Sequence, residues 1–168
     1  MADITRNLIV PLIDTAKLAP ETGATFVPID LSTTFAMQYN PVTDTKAYIC
    51  YKNDSNVLTG FAPAMDQEIA LESTNPMWKF IEGLRRSMPT GTAAEYPVLI
   101  ASPDISETGE VTVVYGQLWE HALIYPDELN TPDGILTFHI DFNGDPIDGA
   151  VSGIGTSTVT FTPDTGGV

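Results

Sequence analysis

The chain has 168 residues, of which 43% are apolar, and a formal net charge of -15. Such a length suits one domain, and that apolar content is enough to bury a core, which excludes wholesale disorder. The charge divides as 7 - 10 = -3 over residues 1–86 and 0 - 12 = -12 over residues 87–168, so attraction to DNA phosphates or an anionic membrane is disfavoured.

Cys50 is the only cysteine and cannot form an intrachain disulfide. No basic stretch precedes an apolar run at the N-terminus, and no apolar run approaches the roughly 20 residues of a spanning helix. The expectation is a protein folded in cytosol, with no membrane partner.

In chain order, residues 1–28 read as an arm or irregular edge, because "NLIVPLI" is broken by Pro11 and "TAKLAPETGA" is loop-like. "PIDLSTTFAMQYN" alternates, with Ile29, Leu31, Phe35, Met37 and Tyr39 on one side, and predicts a half-buried strand. "KAYICYK" predicts a short strand with Cys50 in the core, followed by turn chemistry in "NDSNVLTG". "AMDQEIALES" predicts a strand with Met65, Ile69 and Leu71 inward and an acidic stripe of Asp66, Glu68 and Glu72 outward.

A helix is predicted over residues 76–88, with Asn75 as N-cap and Pro76 at the first helical position. Met77, Phe80, Ile81, Leu84 and Met88 form an apolar stripe that can lie on a sheet, with Phe80 and Ile81 buried. Arg85 and Arg86 meet the negative end of the helix dipole, and Pro89 stops the helix. Beyond it, "EYPVLIAS", "SPDISETGEVTVVYGQLWEHALIY", "ILTFHIDF" and "STVTFTP" predict consecutive strands joined by the turn clusters "ELNTPDG" and "FNGDPIDG". In "ILTFHIDF", Leu136, Phe138, Ile140 and Phe142 face one way and Thr137, His139 and Asp141 the other. A single mostly β domain with one flanking helix follows, of sandwich or barrel type.

Catalytic motifs are scarce. His139 and Asp141 have the spacing of two members of a facial metal triad, but alternation on an open strand face accounts for the pair as well. There is no phosphate-binding glycine motif, nucleophile elbow or Cys/His metal spacing. The many carboxylates form no pair whose environments differ by sequence, so a glycosidase has only their number in its favour. Neither an enzyme nor a bound cofactor or metal is expected.

"TGFAPAMDQEIALESTNPMWKFIEGLRR", residues 59–86, resembles the major tail tube proteins of long-tailed bacteriophages and related prophages. It shares an aromatic residue between Gly and a following Pro, then a strand, then an "NP" helix start with "KFI"-like content. "NGDPIDGAV", residues 143–151, followed by "TVTFTP", is similar to that family's closing turn and last strand. The resemblance implies a β-sandwich-like domain, six copies of which form a ring that stacks into a hollow virion tail tube assembled in the host bacterial cytoplasm. It further implies tape-measure and tail-completion proteins as partners, with double-stranded DNA passing through unbound. Lumen-facing candidates are Asp66, Glu68, Glu72, Thr137, His139 and Asp141, since acidic walls repel phosphates. The N-terminal arm and the polar loop of residues 53–58 become candidates for bridging copies. An alternative is a monomeric β-sandwich binding module for carbohydrate or adhesion, with acidic loops such as "DFNGD" holding calcium.

Overall fold

The structure is a computed structural model that describes residues 9–21, 23–105 and 111–164, leaving aside the side chains of 104, 105 and 111–113. Among these residues the chain forms eleven strands and one α-helix. The strands are β1 (Val10–Asp14), β2 (Phe26–Pro28), β3 (Met37–Gln38), β4 (Pro41–Lys46), β5 (Ser55–Phe61) and β6 (Ala64–Ala70) before the helix α1 (Pro76–Ser87). After it come β7 (Glu95–Ile105), β8 (Val111–Asn130), β9 (Ile135–Asp141), β10 (Ile147–Ser152) and β11 (Thr160–Pro163). The main sheet runs β2-β1-β7-β8-β9-β6-β3, with β10 on β8 and β11 on β10, while β4 and β5 form a separate ribbon. The pairings are antiparallel, which gives the expected mostly β, sandwich-like architecture with a single flanking helix.

The long strand β8 carries β7 on one edge, while its other edge pairs with β10 over its first half and with β9 over its second, so the sheet forks there. Alternation then gives two cores. Ile13, Val98, Trp119, Ile124, Phe138 and Met65 face the helix, whereas Leu12, Leu99, Leu118, Val151 and Phe161 pack on the opposite side. The second core requires Gly149, because a Cβ there would come within 2.7 Å of the Phe161 ring.

The helix is built as its sequence dictates. The Asn75 side chain accepts the Trp78 N–H at 3.0 Å, and Met77, Ile81 and Leu84 are buried against the sheet. Two expectations need correcting. Phe80 is half-buried, edge-on to Tyr96 with ring centroids 4.8 Å apart. Met88 is not helical but a left-handed C-cap at φ 43°, largely exposed, whose N–H donates to the Leu84 carbonyl.

Other expectations also shift. Residues 10–14 are a buried strand inside the sheet, not an arm; Pro11 gives up only its own N–H, while its carbonyl accepts the Ile29 N–H at 3.0 Å. Residues 1–8 and 22 of the expected arm lie outside the described residues. The alternating stretch 28–40 holds only the last residue of β2 and the two-residue β3, and residues 29–36 pass over the helix-side core with Ile29 buried and Leu31 and Phe35 packed on it. "KAYICYK" is a hairpin tip with Cys50 exposed, and the supposed loop after it supplies β5. Both faces of that hairpin are solvent-exposed, so no burial imposes alternation on it.

Candidate functional site

Strand β6 puts Met65, Gln67 and Ile69 inward and leaves Asp66 and Glu68 on the outer face. Across β9 and β8 that outer face repeats in rows. Asp66 lies opposite His139, which lies opposite Tyr125; Glu68 lies opposite Thr137, which lies opposite Glu128. Directly opposed residues project to the same side, so these rows form one polar surface.

Its centre is His139. Nδ1 meets the Asp66 carboxylate and Nε2 the Asp141 carboxylate at 2.9 Å, and the Tyr125 hydroxyl donates to Asp141 at 3.1 Å. Burial pulls the imidazole towards its neutral form, but the two carboxylates outweigh that and raise its pKa above 6.5. The protonated ring donates from both nitrogens and cancels part of the negative charge of its row. The next row has no cationic member: Glu68 accepts from the Thr33 hydroxyl, and Thr137 bonds the Glu128 backbone.

Five of the six lumen candidates therefore share one face: Asp66, Glu68, Thr137, His139 and Asp141. Glu72 does not. The strand ends at Ala70, Leu71 is exposed, and Glu72 lies in the turn before the helix, where its carboxylate accepts from Thr74 and its carbonyl from the Asn75 N–H. Tyr125 and Glu128 join the face without having been legible, because a bulge between Pro126 and Glu128 breaks the alternation of β8. Among the described residues no three His, Cys, Asp or Glu side chains are grouped to hold a metal ion, and no helix is long and apolar enough to cross a membrane.

The second feature is the β4–β5 ribbon. Its two strands pair from Pro41↔Phe61 to Lys46↔Ser55. Val42, Tyr48, Ile49, Tyr51, Leu58 and Phe61 stand exposed along it, Ile49 fully so. Lys46 and Lys52 flank the tip.

Neither a family model nor a curated protein matches this sequence. Solved chains similar in their course include one from a prophage assembly. It belongs to the cryo-EM structure of the anti-feeding prophage (AFP) baseplate, 6-fold symmetrised, with a TM-score of 0.46 and 8% identity over 88% of this chain and 96% of that one. At that score the likeness is coarse.

Proposed function

We propose that this chain is a structural subunit of a phage-type tail tube: copies close into a ring, six by the family resemblance, and rings stack into a hollow conduit. The observation that carries this reading is the β4–β5 ribbon, a two-stranded element with apolar side chains on show and no core of its own. An isolated ribbon is marginal in water, and an exposed apolar patch of this kind is retained where another chain covers it. In a self-assembling subunit the cover is a second copy. The tail-tube-like segments at residues 59–86 and 143–151 point the same way.

On this reading the polar face of β6, β9 and β8 lines the lumen. Its carboxylates, and the lack of Lys and Arg after Arg86, give passing DNA no cation to hold. Tape-measure and tail-completion proteins would be the further partners. Negative-stain microscopy of the concentrated protein tests the proposal: rings or tubes with a central hole are expected. A purely monomeric sedimentation profile over a wide concentration range, with neither rings nor tubes, would instead favour a monomeric binding module.

A further inference from the structure

A groove of about 990 Å³ lies between residues 9–11, the crossing segment 28–36 and the inward side of β6. Its walls are largely apolar, with Ile9, Val10, Pro11, Ile29 and Phe35, but Gln67 forms part of its lining. That residue is 2% exposed, and neither its amide NH2 nor its amide oxygen has a hydrogen-bond partner. A buried primary amide left unpaired is costly, and its donor and acceptor together match one peptide unit of another chain. Asp30 stands in the groove wall, where its carboxylate accepts from the Asn75 side-chain amide at 2.9 Å.

The ribbon tip carries the complementary set: Tyr48, Ile49 and Tyr51, all exposed, and a cation at Lys52. Cations are rare in this chain, and others are already engaged. Arg85 and Arg86 bind Glu82, Lys17 donates to the Ala93 carbonyl, and Lys46 pairs with Asp44 at 3.8 Å. Lys52 stands exposed at the tip, a cation on a strongly acidic molecule.

We infer that the groove is the receptor for the ribbon tip of a second copy. Ile49 and the flanking tyrosines enter the apolar walls, a peptide unit of the tip pairs with the Gln67 amide, and Lys52 settles against Asp30. The contact is head-to-tail, because tip and groove are different surfaces, and it therefore propagates from copy to copy. This rests on the self-assembly reading above and names the site that reading leaves open.

The test uses two full-length variants in a Cys50→Ser background, Ile49→Cys in the tip and Thr34→Cys in the groove, mixed and oxidised while assembly is followed by microscopy. A disulfide-linked dimer from the mixture is expected, with none when Asp148→Cys, outside the groove, replaces Thr34→Cys. Assembly without that cross-link leaves the groove to another occupant and overturns the inference while the tube reading stands. Absence of assembly in the unsubstituted protein overturns both. A second variant, Gln67→Met, removes the amide at similar volume. Its denaturation midpoint as a monomer should hold or rise, while the concentration needed for assembly rises about tenfold or more, as expected for losing two buried hydrogen bonds. An unchanged assembly threshold would overturn the role of Gln67.

Discussion

Asp14 shows how much one side chain can organise. It is fully buried at the end of β1, and its Oδ1 accepts the N–H groups of Ala16 and Thr25 at 3.0 and 2.9 Å. Its Oδ2 accepts those of Leu18 and Ala19, both at 2.7 Å. Asp14→Ala orphans four amides and should cost about 3 kcal/mol or more; Asp14→Asn should cost nearly as much, because its NH2 must face two of the donors. Urea denaturation measures both, and a loss under about 1 kcal/mol for the alanine variant would refute the account. His139 makes a different demand. Its pKa is raised in the folded state, so its stabilising contribution is complete below about pH 6.5 and fades as pH rises through the folded value. The urea midpoint of the wild type should therefore fall more steeply than that of His139→Gln between about pH 6 and 9, and parallel curves would contradict the pairing. The His139–Asp141 pair was visible in the sequence as a strand-face spacing. Its third member, Asp66, is 73 residues away, and only strand register brings it there.

At the scale of elements, legibility followed burial. The helix could be read because an Asn-Pro start and an apolar stripe both have physical causes, and the structure repeats them. It ends before Met88, because that residue takes the left-handed conformation that usually falls to glycine. Met88→Gly should accordingly raise stability by about 1 kcal/mol, since the Met side chain is largely exposed and little packing is lost. Phe80→Ala should cost about 1–3 kcal/mol, less than a fully buried phenylalanine, because one side of the ring meets solvent and the other meets Tyr96. Thermal melts of the two variants should move in opposite directions. Segments 29–36 and 41–61 misled for complementary reasons. The first alternates because it drops side chains onto the core at intervals without pairing as a strand. The second pairs as strands with neither face buried, so nothing constrains its sequence to alternate.

For the whole molecule the question is what its charge distribution is for. Solubility alone would scatter carboxylates, whereas here Glu68 and Glu128 fall in one cross-strand row, flanked by a row that His139 partly neutralises. In the proposed ring that row would become a band of negative charge, whose self-repulsion would be tolerable only where repelling phosphates is useful. Glu68→Lys with Glu128→Lys reverses the band and spares the Asp66–His139–Asp141 cluster. The fold should survive, since the Glu128 side chain is exposed and the Glu68 side chain projects to the same outer face. Tubes of the double variant should retain double-stranded DNA at low ionic strength and release it as salt rises, because each lysine at a phosphate releases condensed counterions. The measurement is DNA co-sedimentation with wild-type and variant tubes at about 50 and 200 mM salt, a range over which several phosphate contacts lose orders of magnitude in affinity. Retention by the variant alone places this face on the conduit. Normal variant tubes that hold no more DNA than wild type at low salt would put the face of β6, β9 and β8 elsewhere in the assembly, against a neighbouring copy or on the outside.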